Sequence, residues 1–544
     1  MLPVHHVDTS SLKKYTSRLT GGRLFPRCRQ TVTKQLKQRF DARKQELKIK
    51  LACLDCVCTT ADCWTSRRRS FLGVTVHWLD SDNLMRKGGC LAVRQIEGRH
   101  TYDTLGRVLE SINTEFGISD KTCFVVTDSG ANFLKAFQHF SMEESEDYTL
   151  PTDPEETGEG NAGDDTEDEM VFEEIDHLMD PSSDADTDEQ SVYKLPSHRK
   201  CACHLLNLVA TVDARNIQGI TKRTSVQTFA KLMGLWNKQN RSTTAAGTIR
   251  QTLGSLLVTP GETRWNSTYE AVRKVHAVLS DPDLEAKFDK LCDELISKRL
   301  LPMQKTFIHE YVQVMAPIAC GLDVLQGDRV IGLGYLLPTM CIVKSQLLEL
   351  LDRPAPLNIC QPLVRVLLDG INRRFGAVFD DSKAQLAAVV HPKFKLDWIE
   401  NPVQKALIVD QLKRVVKKEH QTTEQQQGCP SAESHQAQTE TTTGNLPPED
   451  FFACLTSRRN NTVTKPDADA EVDSYLADPS VDLSSLVAYP NISRLHVQLN
   501  TGLPSSAAVE RLFSLGGRVF TPLRSRLNSE HFEMMMFLRT AKNW

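Results

Sequence analysis

No run of uncharged residues in this 544-residue chain approaches the roughly 18–20 that a membrane-spanning helix needs, so no membrane partner is expected. The opening residues, Met1-Leu2-Pro3-Val4-His5-His6, show no apolar core followed by a small-residue cleavage site, and nothing there directs the chain to secretion. No internal repeat is present, which sets repeat architectures aside. Fifteen cysteines in so long a chain do not make a disulfide framework, which belongs to short secreted domains; they read as reduced and mostly buried. Between residues 141 and 190 there is no Lys or Arg at all, against 21 Asp plus Glu. Such a stretch cannot bury enough apolar surface to order itself, which excludes it from any core.

What remains describes a globular chain of more than one unit. At 544 residues there is room for two or more cores, since single cores stop growing near roughly 250–300 residues. Apolar residues make up 40% and charged residues 25%, as in soluble domains. The net charge of −4 hides a segregation: without the acidic block, 48 acidic residues face 65 basic ones, a formal +17. That balance suits phosphate contacts, although spread over the rest of the chain it is also compatible with ordinary surface. Within the acidic segment the island Met170 to Met179 reads either as an amphipathic helix for a partner or for the chain's own basic groove, or as solvated linker. Glu419 to Asp450, rich in Gln, Thr, Ser and Pro, reads as a loop.

Periodicity places the motifs. Gln30 through Lys50 has helical spacing; Leu51 to Thr60, Phe71 to Leu79 and Gly89 to Val93 read as strands. Thr104 to Phe116 is helical, and Thr122 to Thr127 is a short apolar strand bounded by Asp128-Ser129-Gly130. Three strands, a helix and a buried strand fit the start of an RNase H-like α/β core. Asp62 follows the first strand and Asp128 ends the buried one. Carboxylates at the ends of adjacent strands converge on divalent cations in phosphoryl-transfer sites. Taken singly, Asp128 also reads as a helix N-cap and Asp62 as a turn acid.

Near the C-terminus, Ser505-Ser506-Ala507-Ala508-Val509-Glu510-Arg511-Leu512-Phe513-Ser514 sets one carboxylate beside an apolar Val509, Leu512, Phe513 stripe. With Gly516-Gly517 and Thr521-Pro522-Leu523-Arg524 after it, this stretch resembles the C-terminal dimerisation region of hAT-family transposases and of host proteins derived from them. Thr60-Ala61-Asp62-Cys63-Trp64-Thr65-Ser66 and Asp128-Ser129-Gly130-Ala131-Asn132 resemble the family's two acidic motifs. The resemblance implies an acidic triad of Asp62, Asp128 and Glu510, the first two 66 residues apart and the third a further 382 on. It implies Mg2+ or Mn2+ as cofactor if the chain is active. So long a gap implies an all-helical insertion, with long helical patterns at Phe307 to Val324 and Gly332 to Leu351.

Further words fit. Cys201 and His204 match the family's Cys-x-x-His motif, which implies a place for His204 near the scissile phosphate; no second pair stands at zinc-finger spacing, so no zinc finger is identified. Cys53-Leu54-Asp55-Cys56 reads as a pair of core cysteines within the first strand. Arg264-Trp265 matches the Arg-Trp motif, which implies a grip on an unpaired DNA base, a buried Trp being the bland alternative. His391 stands where the family more often has Asp. The last helix, His531 to Arg539, is apolar nearly all round, so an adjoining chain is its natural second surface, the alternative being a fully buried helix in a monomer. Val509, Leu512, Phe513, Phe532, Met535 and Met536 are the candidate dimer residues.

The resemblance thus implies an α/β protein whose RNase H-like core is interrupted by a large all-α insertion domain. Its expected parts are an N-terminal helical segment (1–50), the first part of the core (51–140), a disordered acidic insert (141–196) and a core helix with the Cys-x-x-His motif (197–220). An all-α insertion domain (221–495, with a loop at 419–450) and a C-terminal dimerisation region completing the core (496–544) follow. hAT proteins usually begin with a BED-type finger, but no Cys and His stand at finger spacing before Gln30, which puts sequence-specific targeting in question, whether by truncation or by domestication. The expected function is a nuclear, transposase-derived homodimer that binds nucleic acid, the alternative being an active metal-dependent DNA transposase.

Overall fold

The computed structural model describes residues 28–66, 69–80, 82–98, 101–128, 130–141, 193–261, 265–296, 298–327, 330–427, 468–521 and 527–541. The acidic segment at 142–192, with its Met170 to Met179 island, lies outside them. The architecture is mixed α/β, mostly helical with one small sheet.

Helix α1 (Arg29–Ala52) leads into β1 (Val57–Ser66), β2 (Arg69–Leu79) and β3 (Arg86–Ile96). Then come α2 (Tyr102–Phe116), β4 (Thr122–Thr127), α3 (Ala131–Phe140) and β5 (His198–Lys200). The strands form one sheet in the order β3-β2-β1-β4-β5. β1, β2 and β3 are antiparallel neighbours, whereas β4 runs parallel to β1, and β5 to β4. The antiparallel strands need only short turns; the parallel β1–β4 step spans β2, β3 and α2.

Side chains alternate across a strand, and the sheet feeds a core on each face. On one face Ala61, Leu72, Val76 and Leu91 pack with Leu47 and Leu51 of α1 and Leu105, Leu109 and Ile112 of α2. On the other, Trp64, Phe71 and Val93 pack beneath α16 (Ala507–Val519) and α17 (Ser529–Thr540), which follow the helical region. That region begins with α4 (Ala202–Thr211), α5 (Gly219–Arg241), α6 (Thr243–Leu253), α7 (Trp265–Leu279) and α8 (Pro282–Ile296). It continues with α9 (Pro302–Leu325), α10 (Leu336–Leu351), α11 (Gln361–Asp380) and α12 (Ser382–Val389), and closes with α13 (Pro402–Gln427), α14 (Ala468–Ala477) and α15 (Pro490–Asn500).

Several boundaries differ from the sequence reading. The strand expected at Leu51 to Thr60 starts only at Val57, because α1 runs on to Ala52 with Leu47 and Leu51 on its buried face, one turn apart. Asp62 therefore lies inside β1, opposite Gly73 of β2, and is not a turn acid. Cys53 and Cys56 fall outside the strand; Cys53 is exposed and is no core residue. β5, three residues long, is too short to carry a period and has no signal in the sequence. At the expected 419–450 loop, α13 continues to Gln427, and 428–450 lies outside the described residues.

Candidate active site

The register of the sheet brings the first two acids level. In the parallel β1–β4 pair, Thr60 lies opposite Val126, so two residues further on stand Asp62, within β1, and Asp128, just past the end of β4. Asp62 Oδ1 accepts a hydrogen bond from the Cys63 N–H at 2.7 Å. Asp128 Oδ1 accepts one from the Gly130 N–H at 3.2 Å, turning the chain into α3. Gly130, not Asp128, is the N-cap of that helix. The turn is braced from beneath: Thr127 Oγ1 donates to the Asp128 carbonyl at 2.7 Å and stands 2.8 Å from His198 Nε2, whose ring stacks on Phe137.

Glu510 arrives from the far end of the chain, on the first turn of α16. Its helix is amphipathic, with Val509, Leu512 and Phe513 buried against the sheet and Phe513 stacked on Trp64 at 5.7 Å between centroids. The close approach depends on Gly73, the Cα partner of Asp62: a Cβ there would lie 2.5 Å from the Phe513 ring and 3.0 Å from Val509. Thus α16 sits directly over the strand pair that carries Asp62.

The electrostatics report the same convergence. Burial pushes the Asp62 carboxyl well above the usual carboxylate range, and the charges of Asp128 and then Glu510 push it further, against the opposing Cys63 N–H. The Cys63 thiol is raised by burial, then by Asp62 and Asp128. The Cys201 thiol is brought down to about 7, chiefly by a hydrogen bond from Cys203 and helped by Ser506, against burial and the Glu510 charge. Acids spread over almost 450 residues of sequence therefore meet at Asp62, on which the charges of Asp128 and Glu510 both act. Among the described residues, no three His, Cys, Asp or Glu side chains stand closely enough together to hold a metal ion as they are.

His204 lies on the first turn of α4, half-buried, its N–H donating to Cys201 Sγ at 3.4 Å; it is not among the groups acting most on Asp62. Arg264 lies outside the described residues, and so does the indole of Trp265, whose backbone starts α7. His391 is buried, its ring packed between Tyr335, Phe394 and His496, and burial holds its imidazole down at about 4. It serves packing. Gly73 and His198 have no signal in the sequence, because they bear on the site only through contacts distant in sequence.

Comparison with known proteins adds a second line. The hAT family C-terminal dimerisation region matches residues 484–541. Two proteins of Zea mays, named as AC transposase and AC9 transposase, are each 24% identical over 89% of this chain, covering 56% and 57% of their own lengths. The chain is a relative of hAT-family transposases. It spans little more than half the length of those curated relatives. A protein of Talaromyces stipitatus named as a transcriptional regulator is 33% identical over 106 residues, 19% of this chain and 12% of that protein.

The hAT dimerisation region comprises α15, α16 and α17. Within one chain, Val509, Leu512, Phe513, Phe532 and Met536 are all buried, and Met535 packs partly buried beside them. The reasoning that α17 needs a second chain to cover it does not hold. The helix lies along the edge strand β3, sending Phe532 and Met536 to the core on one face of the sheet and Met534 and Phe537 to the core on the other. Glu533 Oε1 accepts the Val93 N–H at 3.3 Å, so the sheet edge is covered as well. These side chains build the fold of the hAT region, and none of the five buried ones is displayed to a partner as the chain stands.

Proposed function

We propose that this hAT relative is a transposase-derived nuclear protein that homodimerises through residues 484–541, binds DNA, and keeps the acidic site of a DDE-type strand transferase in Asp62, Asp128 and Glu510. The observation that carries this is the convergence on Asp62, whose carboxyl feels the charges of both Asp128 and Glu510, with β1, the end of β4 and α16 each delivering one acid. A strand order of β3-β2-β1-β4-β5 with this mixture of antiparallel and parallel pairs supports an RNase H-like core, and α5 to α14 read as its all-helical insertion. The similarity to the two Zea mays proteins named as transposases favours the transposase side. The formal +17 outside the acidic block supports a polyanion as partner.

The donor set suits a hard divalent cation, Mg2+ or Mn2+, because the charges of Asp128 and Glu510 raise the Asp62 carboxyl, and a cation would relieve that crowding. Asp62, Asp128 and Glu510 would hold it after drawing in from their present spacing. When bound, such a cation supplies activation of a nucleophilic oxygen and neutralisation of charge at phosphorus. The chain's own contribution is position: the β1–β4 register sets the two aspartates level, Cys63 and Gly130 amides orient them, and α16 brings Glu510 over them. His204, Arg264 and Trp265 are assigned to the DNA strand beside the acids on the family resemblance.

Incubating the protein with labelled DNA and manganese, beside an Asp128→Asn variant, tests this. Nicking or joining that disappears in the variant is expected. No nicking, with a stable dimer in sedimentation, would leave a binding protein without chemistry.

A further inference from the structure

The segment between α15 and α16, residues 501–506, is buried throughout although it has no regular secondary structure. A buried irregular segment must find partners for its backbone, and here they come from several elements. Arg86 of β3 donates to the Asn500 and Thr501 carbonyls, the Leu333 N–H to the Gly502 carbonyl at 2.9 Å, and the Ala202 N–H of α4 to the Pro504 carbonyl at 2.9 Å. Ser505 Oγ donates to the Leu325 carbonyl at the end of α9 at 2.9 Å. The last link is a thiol: Cys201 Sγ accepts the Ser506 N–H at 3.3 Å and, from the other side, the His204 N–H at 3.4 Å. The Cys201 N–H itself donates to the Thr127 carbonyl at 2.7 Å, one residue before Asp128. Cys201 is fully buried.

We infer that Cys201 is a positioning residue for the acidic site, one sulfur fixing the start of the Glu510 helix and the start of the His204 helix to the strand end that carries Asp128. This rests on the proposed acidic site. Two of the hydrogen bonds form a chain from Thr127 through Cys201 to Ser506, the N-cap of α16, four residues before Glu510, and the third branches to the His204 N–H. A thiol is suited to the post because its long C–S bond and diffuse acceptor reach two amides at 3.3 and 3.4 Å without drawing the helices into closer contact.

The test uses the full chain with Cys201→Ala and Cys201→Ser, reading manganese affinity by calorimetry and amide hydrogen exchange at residues 504–511. Losing one buried acceptor leaves two N–H groups unsatisfied, so Cys201→Ala should weaken manganese binding roughly five- to ten-fold and speed exchange at Ser506 and Glu510. Cys201→Ser, which retains an acceptor, should restore most of both, and the KM for DNA should stay near the wild-type value while kcat falls in the alanine variant. Unchanged exchange and affinity in Cys201→Ala would overturn the inference. So would a serine variant as impaired as the alanine one, or faster exchange with unchanged manganese affinity, which would leave Cys201 as a helix cap only. A wild type that binds no manganese would refute the acidic site itself, and the exchange comparison would still decide whether Cys201 fixes α16.

Discussion

Replacing Gly73 by alanine is the sharpest probe of how α16 is seated. Gly73 is the strand partner of Asp62, and a Cβ there would stand 2.5 and 2.9 Å from two atoms of the Phe513 ring and 3.0 Å from a Val509 methyl. The first contact is shorter than any packed pair of carbons tolerates, and Phe513 is itself boxed in by Trp64, so the ring has little room to retreat. The alanine should therefore lift α16 from the sheet. Overpacking of this kind costs about 1–3 kcal/mol, from which the usual gain of about 0.5–1 kcal/mol for replacing glycine in a strand is to be subtracted. A net loss of about 1–2 kcal/mol in urea unfolding is expected. Phe513→Leu removes the obstructing ring edge at its own cost, and in combination with Gly73→Ala should show a favourable interaction energy of about 1 kcal/mol in a double-mutant cycle. Lifting α16 also moves Glu510 away, so manganese affinity should fall in the single variant and recover partly in the double. A Gly73→Ala protein as stable as wild type, or strict additivity in the cycle, would refute the packing argument.

Other outcomes follow from the same geometry. Asp62 has a folded pKa raised above its unfolded value, so its stabilising share is fully present below about pH 4 and is lost as pH rises through the folded value; Asp62→Asn should remove that loss and stabilise the metal-free protein at neutral pH, read by thermal unfolding across pH. His77, His198 and His496 are held neutral by burial, each depressed from 6.5 to about 3, so stability should fall as pH drops below 6.5 toward 3, and a His198→Gln variant should show a shallower acid slope. Gly334→Ala should be severe, because its Cβ would meet the Ala387 carbonyl oxygen at 2.3 Å, a backbone atom that cannot rotate away; little soluble protein on expression, against normal yield for Gly376→Ala, is the expected result. Phe532→Ala empties a site between Trp64, Phe71 and Phe520 and should cost about 3–5 kcal/mol in chemical unfolding.

Much of this was legible in the sequence, and the exceptions have physical causes. Apolar runs at Phe71 to Leu79 and Thr122 to Thr127 show as strands because both faces of the sheet are covered, and α2 shows because one stripe is apolar. Asp62, Asp128 and Glu510 stood out by their surrounding words, but that β1 and β4 run parallel with Thr60 opposite Val126 cannot be read from either strand alone. The end of α1 was misplaced because Leu51 and its neighbours suit a strand by composition, whereas packing on the sheet holds them helical. The all-round apolar character of α17 suits an interface or a buried helix equally, because the pattern of one helix does not reveal that it lies along a sheet edge and serves two cores at once. The Cys201 to Ser506 link, 305 residues apart, has no local signature.

The central claim is that Asp62, Asp128 and Glu510 make one site. Calorimetric titration of the wild-type chain with manganese, beside Asp62→Asn, Asp128→Asn and Glu510→Gln, tests it most directly. Binding in the wild type that each single substitution abolishes or weakens by roughly ten-fold or more, the loss of one charged ligand, is the expected result. Equal binding in all four proteins, or loss with the aspartates but not with Glu510, would contradict it.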